Sequence, residues 1–474
     1  MRELLAAIAS GLLIVTGAPP ASAPSPAAAA WVTPSDAKIR GILAQRIDAE
    51  HRGVGIVVGV IDARGRRIVA YGVSDKGDPR PLNGQTMFEI GSMTKVFTSL
   101  VLSEMIESGE VKLDDPVAKF LPPGTKVPER GGRKITLIDL ATHTSGLPRM
   151  PDNFRPKDPS NPYADYTIDQ LYAFLGGYTL PRDIGAQYEY SNLGGGLLGQ
   201  ALSRRAGLDY EALVKRRITG PLGMADTTIT LSPSEKARLA EGHTATLEPT
   251  ANWDLPTLAG AGALRSDAND MLTFLAAELG YVKTPLAAAM QAQIEPRRPS
   301  GSPNLSVALG WHILSRPGKD EIVWHNGGTG GYRTFMGVDA KAGVGVVVLT
   351  NAATVTGGDD IGFHILAGVP LQAPQKPPSE HHAIMLDPKT LDVYVGRYQF
   401  ALQAILTVTR DGDRLFTQLT GQPSVEIFPE SRTDFFLKVV DAQLSFDLPP
   451  TGAAVAVTLH QNGRDQMAKR VAGP

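Results

Sequence analysis

The sequence predicts an α/β fold, an antiparallel sheet flanked by helices and joined to an all-α subdomain, followed by a small antiparallel β-barrel. Two observations carry this. Nearly continuous apolar runs, Val54 to Ile61 early and Gly343 to Leu349 late, read as buried strands, and helical patterns fill the stretch between them. After a Pro-, Gln- and Lys-rich stretch, seven or eight short strand patterns separated by turn residues crowd into residues 385–474.

At 474 residues the chain is long enough for two or three folding units. Its composition, 42% hydrophobic and 20% charged, suits a globular protein with a large core. Lys plus Arg is 46 against 48 Asp plus Glu, a net charge of -2, so neither nucleic acid nor an anionic membrane surface is indicated as a partner. Cysteine is absent, which excludes disulfides, thiolate metal sites, a cysteine nucleophile and a lipidated N-terminal cysteine.

Taken in order, Arg2 precedes the apolar run Leu4 to Thr16, and small residues follow as far as Ala28-Ala29-Ala30. Residues 1–30 therefore read as a signal peptide cut before Trp31, because Ala21-Ser22-Ala23 is followed by Pro24. An uncleaved anchor competes, but the run falls short of the roughly 20 residues a membrane helix needs. The expectation is export, to the periplasm or medium, with no membrane span in the mature chain.

Ser35 to His51 reads as an amphipathic helix capped by Ser35, with Ile39, Ile42, Leu43 and Ile47 on one side. Val54 to Ile61 and Arg67 to Val73 follow as two antiparallel strands across Ala63-Arg64-Gly65. A helix opens at or just before Ser92 and ends at Gly109. Another starts at Ile135, and Pro151 to Tyr163 is a polar loop that borders a cleft. Helices at Thr167 to Leu175, Gly194 to Ala206, Asp209 to Ile218 and Asp267 to Leu279 complete the helical part. Strands at Leu309 to Leu314, Glu321 to Trp324, Tyr332 to Asp339 and Gly343 to Leu349 return the chain to the first sheet. A catalytic domain over residues 31–370, a linker over 371–384 and a barrel over 385–474 result. In the barrel, Leu406, Val408, Val455, Val457 and Leu459 alternate with polar or small residues, as one buried face requires.

Three stretches carry the chemistry. In Gly91-Ser92-Met93-Thr94-Lys95 the serine and lysine share a helix face at i and i+3. Burial and the positive helix end disfavour an ammonium, so Lys95 is a possible base for a Ser92 nucleophile. Tyr190-Ser191-Asn192 stands before a glycine-rich helix start: a phenol able to move a proton and an amide able to hold the lysine and a substrate amide. His325-Asn326-Gly327-Gly328 joins two strands, where glycines admit a substrate backbone, His325 faces the cleft as a donor, and the Gly328 N–H joins that of Ser92 in an oxyanion hole. Each stretch alone also fits a plain cap, loop or hairpin.

Their order is specific. Together with Leu140-Ala141-Thr142-His143-Thr144-Ser145-Gly146-Leu147-Pro148, Gly262-Ala263-Leu264-Arg265-Ser266 and Leu309-Gly310-Trp311, the chain resembles the penicillin-recognising serine hydrolases, in their class C β-lactamase-like branch with D-alanyl-D-alanine peptidases and esterases. The resemblance implies a β-lactamase/penicillin-binding-protein-like fold and an acyl-enzyme route. Ser92 attacks, Lys95 and Tyr190 move the proton, the Ser92 and Gly328 amides hold the oxyanion, and Asn192, His325, Gly327 and Gly328 bind the substrate, Asn192 also orienting Lys95. The implied substrate is a small molecule or peptidoglycan-derived, with no metal or cofactor. His325 stands where strict β-lactamases carry a lysine that favours a carboxylate, which keeps a carboxylesterase, or a sensor acylated without turnover, as alternatives. The terminal barrel is similar to the lipocalin-like appendage of some such hydrolases. His143 reads as a turn residue.

Overall fold

The computed structural model describes residues 31–471 apart from 355–356, 374–380, 402–403, 421, 423 and 462–463. The expected signal peptide and part of the expected linker lie outside the described residues. The chain separates into a compact unit over Thr33–Ser379 and another that includes Glu380–Pro474.

The first unit is built on a nine-stranded antiparallel sheet. Its strands are β1 (Gly55–Asp62), β2 (Gly65–Asp75), β3 (Asp78–Pro81), β4 (Arg298–Pro299), β5 (Leu305–Val307), β6 (His312–Leu314), β7 (Ile322–Gly328), β8 (Arg333–Asp339) and β9 (Val344–Thr350). They lie in the order β3-β2-β1-β9-β8-β7-β6-β5-β4. The chain ends meet where Ile56 pairs with Thr350 and Ile61 with Gly345. Every residue of β1 is buried, as its unbroken apolar run requires of a strand covered on both faces.

Alternate residues serve opposite layers. Ile56, Val58, Val60, Val346 and Val348 pack with Ile39 and Leu43 of α1 (Asp36–Ala44) and Ile361 and Ile365 of α8 (Asp359–Ala367). Val57, Ile61, Val347 and Leu349 face the other core, with Phe97 of α2 (Thr94–Glu107) and Leu272 and Leu275 of α7 (Ala268–Glu278). Because α2 is buried nearly all round, it holds Lys95 away from water.

The helical part contains α3 (Leu137–Ala141), α4 (Ile168–Gly177), α5 (Asn192–Ala206) and α6 (Tyr210–Val214). Thr136 with Asp139 and Thr167 with Gln170 form capping boxes that start α3 and α4. Ser191 caps α5 by accepting from the Gly194 N–H, which starts the helix at Asn192, two residues ahead of its apolar pattern. Two expected helices change pitch near their ends: π turns span Gln45–Ala49 after α1 and Lys215–Thr219 after α6.

The second unit is a closed antiparallel barrel of β10 (Gly396–Ala401), β11 (Ala404–Asp411), β12 (Arg414–Leu419), β13 (Val425–Pro429), β14 (Asp434–Phe436), β15 (Ala442–Asp447), β16 (Ala456–Gln461) and β17 (Arg464–Val471). Arg397 pairs with Val471 to close it, leaving no edge in the ring. Leu406, Val408 and Val457 point inward as expected. Val455 does not: it lies ahead of β16 and is 50% exposed, so the strand begins one residue later than the sequence suggests and its inward series starts at Val457.

Candidate active site

The backbone brings two of the three expected stretches together before any side chain does. Gly91 takes a left-handed φ of 52° at the turn into α2, a conformation only glycine adopts cheaply. A Cβ there would lie 2.6 Å from the Gly328 nitrogen, so the residue ahead of Ser92 abuts the end of β7. A Cβ on Gly327 would lie 2.0 Å from the Ile90 carbonyl oxygen and 2.3 Å from Thr334 Oγ1. Thr334 Oγ1 donates to the same carbonyl at 2.9 Å. Gly327 is thus small so that the segment leading to Ser92 can dock on the sheet. β7 also continues through His325 to Gly328, paired with β8, where the sequence suggests a strand ending at Trp324.

Lys95 Nζ lies 3.0 Å from Ser92 Oγ. It also donates to Asn192 Oδ1 at 2.9 Å and to the Ala261 carbonyl at 2.6 Å. A neutral amine has two N–H groups and one lone pair. In that state the acceptors at Asn192 and Ala261 take both hydrogens and leave the lone pair for the Ser92 hydroxyl, whereas an ammonium donates to all three. Lys95 is 3% exposed, and burial, with the positive charge of Arg149 second, holds its pKa well below the usual lysine value. A Cβ on Gly195 would sit 3.1 Å from Lys95 Cε, so the glycine-rich start of α5 makes room for the lysine stem.

Asn192 is the first residue of α5 rather than part of a loop. Its Oδ1 faces Lys95, and its Nδ2 donates to Tyr163 Oη at 3.1 Å, which ties the Pro151 to Tyr163 loop to the site. The ring of Tyr190 has Lys95 Nζ 4.8 Å and the Arg149 guanidinium carbon 5.1 Å from its centroid.

His325 is 1% exposed and lies 6.3 Å from Tyr190, centroid to centroid. Its Nδ1–H donates to the Asn326 carbonyl at 2.5 Å, and burial, then His312, pushes its pKa well below the ordinary value. The ring is therefore neutral with its hydrogen already used, so the expected cleft-facing donor is absent and Nε2 offers only a lone pair. Two histidines that spacing gave no reason to group surround it. His312 stacks on it at 5.0 Å, with a pKa pushed by burial down to about 4. His143, at φ 58°, packs on Tyr190 at 4.5 Å and accepts from the Ser191 N–H through Nδ1 at 3.1 Å. The turn reading of His143 is right, yet the ring also walls the site. Arg149 is the functional candidate that sequence reasoning passed over. Its position directly after Leu147-Pro148 was the available signal.

A serine whose hydroxyl faces a buried amine, beside a tyrosine and a strand end, on an antiparallel sheet with an all-α subdomain, defines a serine hydrolase of the penicillin-recognising type. A family model described as Beta-lactamase matches residues 38–368, and the chain belongs to that family. The chain is similar to the D-alanyl-D-alanine-carboxypeptidase/endopeptidase AmpH of Escherichia coli K12, 33% identical over 317 residues covering 64% of this chain and 80% of the relative. A penicillin-binding protein of Bacillus subtilis (strain 168) is 29% identical over 426 residues, covering 85% of this chain and 91% of its own length. The crystal structure of a beta-lactamase/D-alanine carboxypeptidase from Yersinia pestis superposes with a TM-score of 0.59 at 28% identity, over 68% of this chain and 93% of the other. Residues 380–470 match a domain of unknown function, DUF3471.

Proposed function

We propose that this chain is an exported hydrolase that cleaves amide or lactam bonds of D-alanyl peptide or β-lactam type through an acyl-Ser92 intermediate. The observation that carries the reading is the Lys95 amine, 3.0 Å from Ser92 Oγ with its two hydrogens directed to Asn192 and Ala261. Names of the relatives, a carboxypeptidase/endopeptidase and a penicillin-binding protein, support the substrate class. Export rests on Arg2 and the apolar run Leu4 to Thr16; among the described residues no helix is long and apolar enough to cross a membrane.

In this reading Ser92 Oγ bonds to the substrate carbonyl carbon while its proton passes to Lys95 Nζ, and Tyr190 relays it to the leaving nitrogen as the C–N bond breaks. The amides of Ser92 and Gly328 hold the oxyanion. Water then attacks the ester, its proton taken by the same pair, and Ser92 is restored. Asn192 holds Lys95 and the substrate amide, and neutral His325 forms a wall beside Tyr190.

His325 favours a second reading, a carboxylesterase, because a neutral ring offers a carboxylate no charge. Incubating the protein with an acylated D-alanyl-D-alanine peptide and with a short-chain ester separates the two. Release of D-alanine that is lost in Ser92→Ala supports the peptidase, whereas ester cleavage alone supports the esterase.

A further inference from the structure

The inward-facing residues of the terminal barrel differ in size from one end to the other. Toward one end Tyr394, Tyr398, Phe435 and Phe446 pack edge to face, with centroids 4.8 to 5.7 Å apart. A 3₁₀ turn over Pro388–Val393 adds Leu391 to the same cluster. That end is filled by side chains. Toward the other end, where β10 turns into β11, β12 into β13, β14 into β15 and β16 into β17, the inward positions carry Ala404, Leu406, Leu419, Val425, Ala442 and Leu459. These are too small to meet across the ring. They leave a hollow of about 750 Å³, its open mouth included, and none of the side chains that line it is charged. An eight-stranded barrel is just wide enough either to pack solid or to hold one small ligand, and here the two ends take the two options.

One polar side chain breaks the apolar lining at depth. Thr417 stands on β12 between the inward-facing Leu415 and Leu419, lines the hollow and is 4% exposed. Its Oγ1 is buried and has no hydrogen-bond partner among the described residues. A valine has the same shape and would be free of the cost of an unpaired buried hydroxyl. The protein's own side chains thus neither fill the space nor pair the hydroxyl. A molecule with an apolar body and one polar atom at the depth of Thr417 would do both. A charged group would be buried there without a counter-charge, which the lining does not supply.

We propose that the open end of the barrel binds a small, uncharged, mainly apolar molecule carrying a single hydroxyl or amine, which pairs with Thr417 Oγ1. This site is built from residues 400–466 alone and does not depend on the hydrolase reading.

The test titrates the full chain with N-phenyl-1-naphthylamine, an uncharged fluorophore that brightens in apolar surroundings. Saturable binding of one probe per chain is expected. At pH 8, 1-octanol should displace it, and octanoate, of the same chain length but charged, should do so about 10-fold more weakly or not at all. Ala442→Phe and Leu419→Trp fill the hollow from different strands. Each variant that keeps the wild-type far-UV spectrum should lose the probe signal. Thr417→Val keeps the shape and removes the hydroxyl, so 1-octanol should bind it about 3- to 10-fold more weakly, the worth of one hydrogen bond. No saturable binding in the wild type, full binding in a folded Ala442→Phe or Leu419→Trp variant, or octanoate displacing as well as 1-octanol would overturn the proposal. Equal affinity of 1-octanol for wild type and Thr417→Val would overturn the part assigned to Thr417.

Discussion

Gly91 and Gly328 meet so closely that a Cβ on the first would lie 2.6 Å from the amide nitrogen of the second. This contact sets the turn that carries Ser92 against the strand end that carries the proposed second oxyanion donor, the Gly328 N–H. Gly91→Ala is expected to lose about 1–2 kcal/mol from the left-handed φ. It should also lose kcat by about 10²–10³-fold, the cost of disturbing one oxyanion donor. Thermal unfolding and steady-state kinetics on the same preparation check this. A variant with lowered stability and full kcat would detach the contact from catalysis.

The proposed role of Lys95 as base requires the neutral amine, and its pKa is held well below the ordinary lysine value by burial and Arg149. As pH falls through that depressed pKa the amine protonates and kcat/KM drops, whereas above it activity stays on a plateau. The acid limb should therefore lie far below pH 10. Lys95→Met should remove about 10²–10⁴-fold of kcat, the range for a general base. A pH–rate profile that climbs steadily toward pH 10 would show an ordinary lysine.

Asn192 sets that same limb. Asn192→Asp puts a carboxylate where Oδ1 now accepts from Lys95, which favours the ammonium and raises the lysine pKa. The acid limb of kcat/KM is expected to move to higher pH, and activity at neutral pH to fall. A limb that stays in place would mean that another group titrates there.

Asp267 offers a prediction away from the site. It caps α7, accepting from the Asp270 N–H at 2.8 Å, and burial, opposed by that hydrogen bond and aided by Asp270 and Asp226, pushes its pKa up to about 8. The folded state then binds a proton that the unfolded chain releases near 3.8. Its stabilising contribution is complete below about pH 4 and is lost as pH rises toward 8. Asn caps equally well and does not titrate. The Tm of Asp267→Asn relative to wild type should rise between pH 5 and pH 8, and a constant difference would contradict the shift.

Much of this was legible in the residues because it depends on local rules. Ser92 and Lys95 meet because the 3₁₀ turn Gly91–Met93 runs straight into α2 and keeps i and i+3 on one face. The helix expected from Thr167 starts there, capped by Thr167, and the apolar runs at Val54 and Val344 do pair, whereas the helix expected from Ile135 begins two residues later at Leu137. What escaped was non-local. His143, His312 and His325 come from a turn and two strands, and nothing in their spacing brings their rings together. The glycines after His325 look like a strand's end, yet β7 runs through them because the Ile90 segment needs that space.

The central claim is most directly tested by intact-mass measurement of the protein mixed with a penicillin, followed over time. The account predicts an adduct of one penicillin per chain, located at Ser92, that forms in the wild type and not in Ser92→Ala. Formation of the same adduct in Ser92→Ala, or full hydrolytic activity in that variant, would contradict it.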